Sequence, residues 1–291
     1  MKAGIINTGI SLTDKGFSDD HYQISIASIR ISPDGFSYAL FDTIRKKYVK
    51  LESYDFQFVT NESSWIETLR ILLQENAIHL SPCESLYLSV DFPYPLLIPA
   101  ALYSENKKEL FYFWNYYPSS HPLLFADKLN TLDTIVIYPL EKVIASQLNN
   151  LFPQAKQLHQ LSALLPILQK KHHKNNTERS LFVQIKKTWF DLIIFQEEKL
   201  LFFNTFQYHS VEDFLYFLLY SMQLLSIDPE KQKIEIFGEV AADSALIQKI
   251  QKYVRTVTFL PRPSDEAFSY VFDELESHRF INLLNLKNCG L

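Results

Sequence analysis

Glycine is the residue this sequence lacks most. Average usage of about 7 % would place roughly 20 in a chain of this length; the 291 residues contain six, at positions 4, 9, 16, 35, 238 and 290. Sites that hold phosphate by bringing bare backbone against its oxygens depend on that residue, so the shortage weighs against them. No Walker-type Gly-rich loop, dinucleotide fingerprint, Gly-x-Ser-x-Gly elbow or His-Glu-x-x-His pair occurs. Cysteine is scarcer still. Cys83 and Cys289 are far apart, which excludes a disulfide framework or a Cys-based zinc site and makes a reducing interior the expected location. Positive charge is not in surplus: 28 Lys and Arg face 33 Asp and Glu, a net charge of −5. That balance argues against a protein that wraps nucleic acid or anionic lipid. Long apolar runs are also absent. Phe214 to Leu225 is only about 12 residues against the ~20 a spanning helix needs, and Met1 to Asp20 contains Asn7, Asp14, Lys15 and Asp19 with no apolar h-region. The expectation is a cytoplasmic protein with no membrane span.

Apolar side chain is plentiful, at 47 % hydrophobic and 14 % aromatic, enough for a substantial core. The length suggests two lobes. Three extended segments open the first: Ile24 to Ile31, which shows period-2 patterning, then Phe36 to Asp42 and Tyr48 to Tyr54. Ser32-Pro33-Asp34-Gly35 joins the first two as a hairpin turn, with Gly35 free to take positive φ in a bulge. A helix carrying Trp65, Ile66, Leu69, Leu72 and Leu73 follows, with Ser64 and Glu67 spaced as a capping box. A strand returns at Glu84 to Val90.

The second half repeats this order. Leu181 to Ile185, Phe190 to Phe195 and Leu200 to Phe206 read as a meander with polar breaks at Lys186-Lys187-Thr188 and Gln196 to Lys199. Ser210 and Asp213 cap a helix through Leu225. Lys233 to Phe237 is a strand, Asp243 caps a further helix, and Val257 to Leu260 is a short strand. Corresponding elements are offset by about 150 residues, the pattern of an internal duplication. Between the halves lie a strand at Thr134 to Tyr138 and helices near Leu140 to Leu151 and from Leu158. The polar run Lys170 to Asn176 is expected to be an exposed inter-lobe connector holding His172 and His173, giving lobes 1–157 and 181–291 with 158–180 between them. Its lysines, with Arg179, form a weak candidate RNA contact with no interleaved aromatic platform.

Two tandem units of this kind resemble the actin-like ATPase superfamily, which also contains sugar kinases and Hsp70-type chaperones. The stretches Ile29 to Ser37, Leu51-Glu52-Ser53-Tyr54, Leu200 to Phe206 and Glu212 to Tyr216 are similar to domain-of-unknown-function family 3822 of Bacteroidetes. The resemblance implies an α/β, ribonuclease H-like actin fold in two lobes, each with a mixed sheet, and implies no activity. Superfamily members hold phosphate and magnesium between two Asp- and Gly-bearing hairpin turns, one per lobe, and adenosine against paired glycines. The first turn here has Asp34 and Gly35 but also Pro33, which has no N–H to donate. The second, Lys186-Lys187-Thr188-Trp189, has neither acid nor glycine and is expected to be a solvated turn. Only Gly238, followed by Glu239, stands where paired glycines are usual.

The leading expectation is therefore a non-catalytic scaffold or protein-interaction module, with no cofactor, metal, nucleotide or nucleic acid. Its partner would be another protein, met through aromatic residues of the Phe111 to Tyr117 cluster, of which Trp114, Tyr116 and Tyr117 precede Pro118. The rival expectation is a divergent nucleotide-binding switch or phosphotransferase in the cleft between the lobes. It would use Asp34, Gly35, Lys186, Lys187, Gly238 and Glu239.

Overall fold

The computed structural model describes residues 3–290 except 60, 77, 79, 119, 176–178 and 198. Its elements begin with β1 (Ile5–Thr13), β2 (Ser25–Ser32), β3 (Gly35–Asp42), β4 (Lys47–Gln57), α1 (Glu62–Glu75), β5 (Ser85–Val90), β6 (Leu96–Pro99) and α2 (Lys108–Asn115). There follow β7 (Leu123–Leu129), β8 (Thr134–Leu140), α3 (Lys142–Leu151), β9 (Lys156–His159) and α4 (Gln160–Asn175). The remainder is β10 (Arg179–Ile185), β11 (Trp189–Gln196), β12 (Lys199–Gln207), α5 (Val211–Leu224), β13 (Lys233–Gly238), α6 (Ala245–Ile250), β14 (Thr256–Phe259) and β15 (Ala267–Phe268). The chain divides into two compact units. One comprises Met1–Ala163, Ser264–Glu274 and Asn282–Leu291; the other comprises Leu164–Pro263 and Leu275–Ile281.

In the first unit the main sheet runs β1-β4-β3-β2-β5-β9. The hairpin strands β2, β3 and β4 are antiparallel, whereas β5 lies parallel to β2 and β9 parallel to β5. Parallel pairing requires a crossover, which α1 provides between β4 and β5. The period-2 pattern of β2 suggests one wet face, yet only Ile26 and Arg30 are partly exposed. Its central place covers both faces, and Ser25, Ser28 and Ser32 are buried with the aliphatic residues. A second, three-stranded sheet, β6-β8-β7, is antiparallel. Tyr112 of α2 packs on it with Ile98, Ile135 and Ile137.

The second unit has one sheet, β12-β11-β10-β13-β14, with the same sequence of antiparallel then parallel pairings. Its core joins Val183, Phe190, Leu192, Ile194 and Ile236 to Phe214 and Leu218 of α5 and Ile247 and Ile250 of α6. The Ser210–Asp213 capping box on α5 is as the sequence suggests. On α1 the box lies three residues earlier, at Asn61 and Ser64, and on α6 the cap is Ser244 rather than Asp243. The Lys170 to Lys174 stretch is helical rather than an exposed loop, being the end of α4. His172 is buried, with Nδ1 against Ser180 Oγ at 2.8 Å and Nε2 donating to the Glu197 carbonyl. Lys171 pairs with Glu235 at 3.1 Å and Arg179 donates to Gln196. Residues 176–178 of the expected connector, and Glu198 of the β11–β12 break, lie outside the described residues.

The first unit is finished by chain from beyond residue 263. Where β1 stops pairing with β4 at Lys50, β15 takes up Lys47 and Tyr48. Phe268 stacks on Tyr48 at 5.3 Å, and the Tyr48 hydroxyl donates to the Leu284 carbonyl. Asp14 is the polar clasp. Its carboxylate accepts from Ser269 Oγ (2.6 Å), Lys47 Nζ (2.9 Å) and the Gly16 amide (2.8 Å). The Ser269 hydroxyl, then Lys47, hold its carboxyl well below the usual carboxylate range.

Two outcomes follow from this packing. A depressed carboxyl stabilises the fold above its unfolded pKa of about 3.9 and ceases to as pH falls toward the folded value. Asp14→Asn therefore lowers stability by about 2 kcal/mol at neutral pH, and urea titrations show its difference from the wild type shrinking progressively below about pH 4. Gly35→Ala destabilises by about 2 kcal/mol or more in the same assay, because a Cβ there would lie 2.4 Å from the Tyr54 carbonyl oxygen.

Candidate functional site

Loops at the carboxyl ends of parallel strands are where open α/β sheets place their chemistry. Here one backbone bond closes each such pair of ends. The Asp91 amide donates to Ile31 O (2.8 Å) beyond β5 and β2, and the Glu239 amide donates to Ile185 O (2.7 Å) beyond β13 and β10. Each unit thus sets a hairpin turn beside an acidic residue.

In the first unit the turn is a two-residue hairpin closed by the Ser32–Gly35 pair. Gly35 does not take positive φ, as the sequence suggests it could; among the described glycines only Gly238 does. What requires glycine at 35 is the approach to the Tyr54 carbonyl. Asp34 is turned inward: Ser32 Oγ donates to its Oδ1 at 2.7 Å, and its carbonyl accepts from the Phe56 amide. Trp65 Nε1 donates to Ser32 O. Beside the turn, sequence reasoning missed Arg30 and Asp91. Arg30 Nε lies 2.6 Å from Asp91 Oδ2, with the Asp91 side chain wholly buried. The signal was available, since a charged residue in an apolar strand needs an opposite charge nearby.

In the second unit the turn is solvated only in part, not throughout as expected. Lys186 is only 3 % exposed, and Trp189 is buried; Lys187 and Thr188 face solvent. The Lys186 amide donates to Trp189 O (2.9 Å), and its carbonyl accepts from the Tyr208 hydroxyl (2.6 Å). Burial, with the Glu239 charge second, pushes the Tyr208 hydroxyl up from its ordinary value. Gly238 has φ +110°, and a Cβ there would meet Ile185 O at 2.2 Å. Its amide donates to His278 O, and farther along the same loop the Ala242 amide donates to Glu276 Oε1 at 3.0 Å. Lys186, Gly238 and Glu239 are therefore gathered at one strand end of the second unit, as Asp34 and Gly35 are at one of the first. Among the described residues no group of three His, Cys, Asp or Glu is arranged to hold a metal ion, and no helix is long and apolar enough to cross a membrane.

The aromatic cluster splits. Trp114 is 72 % and Tyr117 91 % exposed. Tyr116 is instead half-buried: its ring lies 5.1 Å from Tyr112 and 5.6 Å from Tyr94, and its hydroxyl donates to Pro95 O. Leu110, one helical turn before Trp114, is also exposed. Leu110 and Trp114 thus form an apolar patch on α2, flanked by exposed Glu109 and Asn115 and beside aromatic residues fixed by packing.

These features have counterparts among known proteins. A structure from Bacteroides thetaiotaomicron, described as a protein with actin-like ATPase fold and unknown function, superposes with a TM-score of 0.74 at 20 % identity, covering 84 % of this chain and 94 % of that one. The PilM–PilN type IV pilus biogenesis complex gives a TM-score of 0.61 at 12 % identity, covering 92 % of this chain and 99 % of that one. At these identities the likeness shows the fold, which is the actin-like ATPase fold. No curated protein matches the sequence. The family model described as "Protein of unknown function (DUF3822)" matches residues 14–257, most of the chain, and the protein belongs to that family.

Proposed function

We propose that this protein is a non-catalytic, cytoplasmic protein-interaction module that meets its partner through Leu110 and Trp114 of α2 and Tyr117 just beyond its end. The observation that carries the reading is the exposure of Trp114 and Tyr117 next to the packed rings of Tyr112 and Tyr116. Large rings exposed on a rigid support resemble the anchors that dominate protein interfaces, because burying each removes 150–250 Å² from water at little entropic cost. The PilM likeness is compatible with such a role, since that protein is described in complex with PilN.

The strand-end turns support the non-catalytic half of the reading. Phosphoryl transfer relies on a metal to offset phosphate charge and on amides facing the phosphate oxygens. Pro33 has no N–H to donate, Asp34 is bound to Ser32, and Asp91 is paired with Arg30. In the second unit the turn has no acid, and Glu276 occupies the Ala242 amide. A carboxylate there would repel a nucleotide's phosphates.

A photo-reactive phenylalanine analogue replacing Tyr117, in cells of the native host, is expected to give a discrete protein adduct that disappears when Trp114→Ala is added. An adduct indifferent to Trp114 would refute the α2 patch. Calorimetry with ATP and Mg²⁺ is expected to show no saturable heat. Micromolar binding lost on Asp34→Ala would replace this reading with that of a nucleotide-dependent switch or phosphotransferase.

A further inference from the structure

The first unit carries a cavity that the proposed function does not use. It opens where α1 and α3 both stop, beside the start of β5, and has a volume of about 280 Å³. Leu86, which lines it, pairs with Ala27 near the start of β2, so the cavity lies at the amino ends of the parallel strands, away from the strand-end turns. Its inner wall is Ile78, Leu80, Leu86 and Phe152, all buried. Its mouth is polar and exposed, with Gln74, Ser81 and Gln154. No described lining residue carries a charge.

Backbone bonds fix the walls. Beyond α1 the Ile78 amide donates to Leu73 O at 3.0 Å, which folds the chain back against the helix end, and the Cys83 amide donates to Leu80 O at 3.1 Å. Beyond α3 the Phe152 amide donates to Leu148 O at 2.8 Å and the Ala155 amide to Phe152 O at 3.0 Å. Pro153 between them cannot continue the helix. The cavity is therefore formed before any ligand arrives, as small-molecule sites usually are. Its lining has one hydroxyl, on Ser81, and no acid or base, so the geometry suits binding without chemistry.

We propose that this cavity binds a small aromatic molecule of two fused rings that carries an N–H or O–H donor and no negative charge. Size sets the ring count. An apolar cavity of roughly 150 Å³ accepts benzene, and this one is nearly twice as large. Polarity sets the rest. The apolar inner wall takes the rings out of water, while the side-chain oxygens of Gln74, Ser81 and Gln154 offer acceptors at the mouth. Neither α1 nor α3 has a basic residue in its last turn. Both helices therefore turn the partial negative charge of their carboxyl ends toward the cavity uncompensated, which favours a donor and repels a carboxylate. Arg70 stands a turn back on α1, outside the lining. Lys156 is turned to the other face of β5, with its Nζ 5.4 Å over the Tyr87 ring.

Titration of the full chain with indole, followed by methyl NMR, is expected to show saturable shifts with a Kd in the millimolar range or tighter, and intermolecular NOEs to the methyls of Leu80 and Leu86. 1-Methylindole, which lacks the donor, and indole-3-acetate, which adds a carboxylate, each bind more weakly by about threefold or more. Ser81→Trp, at an exposed position of the mouth, abolishes binding with an unchanged circular dichroism spectrum. No saturable shift up to the solubility limit of indole, NOEs confined to other parts of the chain, equal affinity for indole-3-acetate, or binding that survives Ser81→Trp would overturn the proposal. The cavity shares no lining residue with α2 or the strand-end turns, so the outcome is separable from partner binding at α2.

Discussion

Each unit is organised around one strand, β2 or β10, that is hydrogen-bonded on both edges and almost entirely buried. A buried strand cannot leave backbone groups unpaired, since water is not there to satisfy them. Both strands meet this demand in the same way, with an antiparallel hairpin partner on one side and a parallel partner on the other. The parallel partner obliges the chain to cross over through a helix. The crossover returns the parallel strand so that its carboxyl end lies beside the hairpin turn. The juxtapositions of Asp34 with Asp91 and of Lys186 with Glu239 therefore follow from topology, before any selection for chemistry.

What fills those positions differs sharply between the units. The first uses a buried Arg30–Asp91 pair and a proline-bearing turn. The second uses a buried lysine and a glycine held at positive φ by the approach of Gly238 to Ile185. A buried charge is tolerable only when compensated, so these groups are committed to their surroundings and contribute to shape before they contribute to binding. The unsatisfied surface lies elsewhere, on the apolar patch of α2 and along α5 and β12, where large apolar side chains remain in water.

The meanders, their following helices and the Ser210 cap were legible in the sequence because local signals agreed there: apolar runs, polar breaks and a side-chain oxygen three residues before an acid. β8 was also legible, at Thr134 to Tyr138, but β1, β6, β7 and β9 were not. The partners of β1, β6 and β9 are remote in sequence, and strands of four residues such as β6 and β9 carry too little pattern to stand out. The burial of Lys186 and His172 was illegible for a related reason. Both sit in polar stretches, Lys186-Lys187-Thr188 and Lys170 to Lys174, whose composition suggests solvent, whereas packing against Tyr208, Ser180 and Glu197 is set by tertiary structure. Gly35 illustrates a subtler limit. The residue type was informative, but it answers to a neighbouring carbonyl and not to a turn's dihedral angle.

The clasp of Ser269 on Asp14, with β15 taking its place on β4, has a consequence for synthesis. Ribosomes release a chain from its amino end, and domains generally fold as they emerge. The amino-terminal unit cannot close until more than 260 residues have been made, by which time nearly all of the other unit is available to fold. The unit translated first is thus completed last, and until then its sheet waits with the Tyr48 end of β4 uncovered.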